Sequence, residues 1–259
     1  MTAGNEGLSA RIARATEIVE DPSLPSLPSV KISLSFFFVF TCALFVEMKT
    51  ILCFGDSNTW GYRPDGMGRF EWEVRWPGIL QKEVSGFARV IEEGLNARTT
   101  VIDDHVEGVS VCRNGSLHLP ILLETHRPLD LVAIFLGVND LKRRFDAAPF
   151  DIAQGAGELV GIVKRSLAGP DGKPPQILLI CPPPVKVLSA LAGLFEGAIA
   201  KSAELASHFA WQAGRSGCHF LDAGAIVSFS PLDGIHLDAE AHSVLGAKVG
   251  ELARNILSQ

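Results

Sequence analysis

The chain has little cysteine and no pairing pattern in it. Cys42, Cys53, Cys112, Cys181 and Cys218 are scattered, odd in number and without a CxxC pair. This excludes a disulfide scaffold and favours a reducing compartment, so a cytoplasmic protein is expected. Cys53 and Cys181 fall in apolar runs, where reduced cysteine behaves as a small hydrophobe. No long Lys/Arg block occurs and the formal net charge is −6. Nothing offers the basic face a nucleic-acid backbone needs, and no nucleic-acid partner is expected. No internal repeat is visible. His105 stands beside Asp103 and Asp104, but no second ligand cluster accompanies it, and no metal site is expected. What remains is an ordinary globular composition, 259 residues and 47% apolar, enough for one sizeable core.

Residues 1–47 do not resemble the rest. The first thirty are largely polar and end in Pro22, Pro25 and Pro28. Residues 32–46 are an apolar run of about 15 residues, short of the ~20 that a spanning helix needs. The run also begins too far from the amino terminus for a standard signal peptide. Met48-Lys49-Thr50, followed at once by a strand-like run, reads as a natural protein start. The preferred reading is that residues 1–47 are an extension, disordered or not native, ahead of a single domain over 48–259. The alternative is a membrane or export segment at 32–46. Membrane association is expected only if that run is native and retained.

From Met48 the pattern alternates. Strand-like runs lie at 50–54, 88–92, 131–136, 176–181 and 218–222. Stretches with helical spacing lie at 72–84, 117–125, 152–167, 187–213 and 237–257. Short apolar strands separated by helices predict an α/β fold, a parallel sheet with helices on both faces. Residues 169–175, Gly-Pro-Asp-Gly-Lys-Pro-Pro, read as a loop.

The first strand stops abruptly at Gly55-Asp56-Ser57. Gly55 lacks a Cβ where the backbone must turn. Ser57 then sits past the carboxyl end of a strand, where open α/β sheets place ligands and where a serine is positioned as a nucleophile. Taken alone, the stretch reads more simply as an N-cap serine. The third strand is followed by Gly137-Val138-Asn139-Asp140. Asn139 offers an amide donor suited to an oxyanion, or is a turn residue. The last helix is preceded by Asp233-Gly234-Ile235-His236. An Asp three positions before a His can accept its ring N–H and fix the tautomer. By itself that pair reads as a solvated Asp and a surface His. His118, His126, His208, His219 and His242 read as structural or exposed.

Taken in order, Gly-Asp-Ser, Gly-x-Asn-Asp and Asp-x-x-His resemble the motifs of the SGNH (GDSL-type) hydrolases over residues 48–257. The stretches 53–61, 92–100, 128–131 and 233–236 are similar to the bacterial arylesterase/acyltransferase branch. The resemblance implies a three-layer α/β/α, flavodoxin-like domain with a five-stranded parallel sheet. It implies a serine esterase acting on short-chain or aryl esters through an acyl-serine, with alcohols or peroxide competing with water as acyl acceptors. Ser57 matches the nucleophile, His236 the general base and acid, and Asp233 the orienting carboxylate. The Ser57 N–H, the Ala97 N–H and the Asn139 side chain match the oxyanion hole. Many relatives carry Gly where Ala97 stands. Asn58 replaces the Leu of the family's name, and altered packing or selectivity is expected from it. Trp60, Phe195 and Ile235 are expected to wall the acyl pocket. No metal or organic cofactor is implied, the partner being a small ester. Members of the branch form compact homo-oligomers, so assembly is implied too. Carbohydrate acetyl-esterase and lysophospholipase or thioesterase activities stay open, as does a non-catalytic flavodoxin-like binding module, because fold and triad do not set the substrate.

Overall fold

A computed structural model describes residues 48–259. The expectations for residues 1–47, including the apolar run at 32–46, lie outside the described residues. Five strands form one parallel sheet: β1 (Lys49–Gly55), β2 (Ala88–Gly94), β3 (Leu131–Phe135), β4 (Gln176–Cys181) and β5 (His219–Asp222). Their spatial order is β2-β1-β3-β4-β5. This is the flavodoxin-like order, with its reversal point between β1 and β3. Ile51, Leu52, Cys53 and Phe54 of β1 and all of β3 are buried. Strands covered on both faces read as continuous apolar runs for this reason.

The principal helices are α1 (Ser57–Trp60), α2 (Trp76–Glu83), α3 (Gly115–His126), α4 (Pro149–Arg165), α5 (Ala198–Ser216) and α6 (Ala239–Leu257). Helix α2 packs on α6, and α4 packs on both α3 and α5. Right-handed crossovers set α2 on one face and α3, α4 and α5 on the other, and α6, which follows the last strand, packs beside α2. The chain moves outward from β1 to β2, then back across β1 and on to β5, so the helices of the two legs fall on opposite faces. His242 of α6 is fully buried and accepts the Trp76 N–H of α2 at Nδ1, 3.3 Å away. Burial pulls its imidazole down to about 3, so it serves as a neutral structural histidine.

The strand boundaries agree with the sequence reading to within two residues. Three helix starts do not. Helix α4 begins at Pro149, three residues ahead of the pattern at 152–167. The pattern at 72–84 becomes helical only at Trp76, with Pro77 in the first turn, where a missing N–H costs nothing. The pattern at 187–213 becomes helical only at Ala198. Gly197 stands in the left-handed region, φ 84°, and separates the helix from a run of turns. The apolar spacing of that run reflects burial beside the site rather than a helix face.

Candidate active site

The sheet reversal opens a crevice at the carboxyl ends of β1 and β3, and β1 delivers Ser57 to it. Gly55 is obligatory there: a Cβ would lie 1.9 Å from Thr59 Oγ1 and 2.8 Å from the Phe135 carbonyl. Asp56 caps α1 by accepting the Asn58 N–H at 2.8 Å. Ser57 is the first residue of α1, where a backbone N–H has no intrahelical acceptor. The N-cap is thus Asp56 rather than Ser57, and the Ser57 hydroxyl faces the crevice.

His236 Nε2 lies 2.9 Å from Ser57 Oγ, and His236 Nδ1 lies 2.6 Å from Asp233 Oδ2. The other Asp233 oxygen accepts the N–H groups of Ile235 and His236, both at 3.1 Å. Burial pushes the Asp233 carboxyl up, but the His236 hydrogen bond and charge and the two backbone N–H groups outweigh it and hold it below the ordinary range. An ionised Asp233 draws the imidazole proton to Nδ1 and leaves Nε2 free to accept the serine proton. The turn between them needs Gly234, at φ 89°, where a Cβ would meet the Val187 carbonyl at 1.7 Å.

Asn139 begins a 3-10 turn after β3, and its amide donates to the Arg98 carbonyl at 3.2 Å and to Asp56 Oδ2 at 3.4 Å. Burial pushes the Asp56 carboxyl up to about 6, against the pull of the Asn58 N–H. Ala97 has φ 64°, a left-handed conformation that glycine adopts without strain, which accounts physically for a glycine-tolerant position. Its N–H makes no backbone hydrogen bond among the described residues. Arg98 holds this loop in place. It is buried, donates to the Gly55 carbonyl at 2.7 Å and lies 4.3 Å from the Phe54 ring centroid. Buried Asp140 accepts the Thr100 N–H at 3.0 Å and ties the same loop to the turn after β3.

These groups open onto one cavity of about 420 Å³. Ser57, Ala97, Asn139 and His236 line it together with Phe195, Ile235, Leu191 and Leu194. Trp60, expected in the wall, is not part of the lining. Helix α1 ends after a single turn at left-handed Gly61, and the reversal brings Tyr62 to the site instead. The Tyr62 ring centroid is 4.6 Å from that of His236, whereas Trp60 is covered by the Arg69 guanidinium at 4.7 Å. Sequence reasoning missed Tyr62, Arg98 and the cavity-lining Glu107 and Lys142. Tyr62 arrives through the reversal at Gly61, while Arg98, Glu107 and Lys142 reach the site region through packing of segments distant from Ser57 in the chain, which leaves no local pattern.

A serine whose hydroxyl donates to a carboxylate-oriented imidazole, facing an amide and free backbone donors, can attack an acyl carbonyl and stabilise the tetrahedral product. Known proteins of similar sequence and structure agree with that capability. A carbohydrate acetylesterase family member from Sinorhizobium meliloti is 41% identical, with a TM-score of 0.77, over 82% of this chain and 100% of its own. The native aryl esterase of M. smegmatis is 41% identical, with a TM-score of 0.76, over 81% and 100%. Est24, a carbohydrate acetylesterase from Sinorhizobium meliloti, is 38% identical, with a TM-score of 0.75, over 80% and 99%. No curated protein matches. The model of the GDSL-like lipase/acylhydrolase family matches residues 53–244. With most of its length, from the end of β1 into α6, under that match, the chain belongs to the GDSL-like lipase/acylhydrolase family.

Proposed function

We propose that the protein is a serine esterase that hydrolyses short-chain or aryl carboxylic esters through an acyl-serine. The observation that carries this is the unbroken relay from Ser57 through His236 to Asp233, at 2.9 and 2.6 Å, on the wall of the cavity. Ser57 Oγ adds to the ester carbonyl while His236 takes its proton. The oxyanion forms against the Ser57 and Ala97 N–H groups and the Asn139 amide, which exchanges its long 3.4 Å bond to Asp56 for one to the oxyanion. His236 returns the proton to the leaving alcohol, and water, activated by the same imidazole, releases the acid. Where an alcohol or peroxide displaces water in that second step, the product is a transferred acyl group. The likeness to an aryl esterase and to carbohydrate acetylesterases supports acetate as the acyl group and leaves both aryl and sugar alcohols as leaving groups.

No helix among the described residues is long and apolar enough to cross a membrane. The four cysteines of the described residues are all free, which supports a cytoplasmic location as part of this reading.

A panel of p-nitrophenyl esters from acetate to octanoate, with an acetylated sugar added, tests the reading. Acetate and butyrate are expected to exceed octanoate in kcat/KM. Buried Phe195 and Ile235 close the lining beside the reacting atoms. A steady rise toward octanoate points instead to a lysophospholipase or lipase. Asn139→Ala is expected to lower kcat by about 10²–10³-fold, the usual loss for one oxyanion donor. KM is expected to stay nearly constant, because the interaction strengthens mainly in the transition state. A rise in KM alone makes Asn139 a substrate-binding group.

A further inference from the structure

We propose that Asn58 is a positioning residue whose side-chain amide sets the Ser57–His236 geometry. This inference rests on the serine-esterase reading above. Ser57 and His236 are 179 positions apart and belong to segments that share no strand or helix. Asn58 Nδ2 donates to the Ile235 carbonyl at 3.0 Å, and Asn58 Oδ1 accepts the Leu237 N–H at 2.9 Å. The two bonds therefore grip the residues on either side of His236, from the residue next to Ser57. Among the described residues they are the only hydrogen bonds between the α1 turn and the segment 230–237, apart from the Ser57–His236 contact itself.

The chemistry of the clamp selects the side chain. It needs one donor and one acceptor on a single short planar group, in a site that is 1% exposed. Asparagine supplies both. Leucine has the same branched outline and neither function. Aspartate keeps the acceptor for Leu237 but turns a second oxygen toward the Ile235 carbonyl. Glutamine carries the same amide one methylene farther out, away from the positions that meet the Ile235 carbonyl and the Leu237 N–H. The bonds inside the 230–237 loop, from Ser230 N–H to the His236 carbonyl at 2.8 Å and from Gly234 N–H to the Ser230 carbonyl at 2.9 Å, shape the loop but do not hold it against Ser57. Asn58 does not line the cavity, so it touches no substrate. Its effect runs through the placement of His236, where a shift of about 1 Å is enough to cost about 10²-fold in rate.

The test compares the unaltered chain with Asn58→Leu and Asn58→Asp, each checked for a cooperative thermal transition. The measurements are kcat and KM on p-nitrophenyl acetate and the rate of labelling by a fluorophosphonate. In a folded variant kcat is expected to fall by about 10²-fold, with KM within about twofold and labelling slowed in parallel with kcat. A structural role alone would lower thermal stability and leave kcat per folded molecule unchanged. A folded Asn58→Leu or Asn58→Asp with parental kcat, or with its loss confined to KM, overturns the proposal. If neither variant folds, Asn58 is a core residue and the proposal falls. If the unaltered chain neither labels nor turns over, the serine-esterase reading fails and takes this inference with it. If the unaltered chain is active and the variants match it, only the positioning role is lost.

Discussion

Ser57→Ala is expected to leave a folded protein whose esterase kcat is lower by about 10⁶-fold, the scale seen when the nucleophile of a comparable triad is removed. The substitution removes one oxygen and no part of the turn that carries it. The cap of α1 is the Asp56 carboxylate, which keeps its bond to the Asn58 N–H. Gly55 and Gly61 still shape the entry and exit of the helix. The lost Oγ leaves His236 Nε2 facing a cavity wide enough for water, so no buried polar group is stranded and the thermal midpoint is expected to hold. The measurements are hydrolysis of p-nitrophenyl acetate, covalent labelling by a fluorophosphonate, and a melting curve. More than about 1% residual turnover in contaminant-free protein would falsify the nucleophile assignment, since water replacing Oγ cannot form the acyl-enzyme.

The second large effect belongs to Asp233→Asn, for which a loss of about 10⁴-fold in kcat at neutral pH is expected, the magnitude known from the serine-protease triad. The structure shows why asparagine cannot rescue itself here by rotating. One Asp233 oxygen is engaged by the N–H groups of Ile235 and His236. In asparagine that position must go to the carbonyl oxygen, because the amino group has no lone pair to offer two donors. The NH₂ is thereby aimed at His236 Nδ1, which must become an acceptor, and the ring proton moves to Nε2. An imidazole in that tautomer cannot take the Ser57 proton. KM is expected to change little, because Asp233 orients the base rather than holding the ester. Retention of most of kcat would mean that the tautomer is set by something other than Asp233.

Gly55 and Gly234 are legible in the chain because each sits in a turn, although the Phe135 and Val187 carbonyls that their Cβ atoms would meet belong to distant segments. Each stands beside residues of the triad motifs. Helix starts are less legible. Apolar spacing at 187–197 imitates a helix because Leu191, Leu194 and Phe195 turn toward the cavity, whereas left-handed Gly197 shows that the helix begins only after it. Distance along the chain from Ser57 puts Trp60 in the pocket. The actual lining depends on how sharply α1 ends, and that gives the position to Tyr62. Asn58 reads in the sequence as a departure from the family's spelling with an effect on packing, but its partners lie 177 and 179 positions away.

By itself the sequence determined the alternation of strand and helix and the parallel sheet, because these depend on periodicity and turn chemistry within a few positions. The serine, asparagine, aspartate and histidine stood out as a set only through the resemblance of their three motifs, taken in order, to the SGNH hydrolases. Tertiary structure alone decided that Ser57 and His236 meet at 2.9 Å, that Arg98 and Asp140 hold the Ala97 loop against the ends of β1 and β3, and that Tyr62 and Phe195 line one cavity. The physical reason is the sheet order. Reversing direction at β1 gathers the ends of non-consecutive strands and the turn before α6 around one crevice, and contacts between segments so far apart in the chain leave no periodic trace in it.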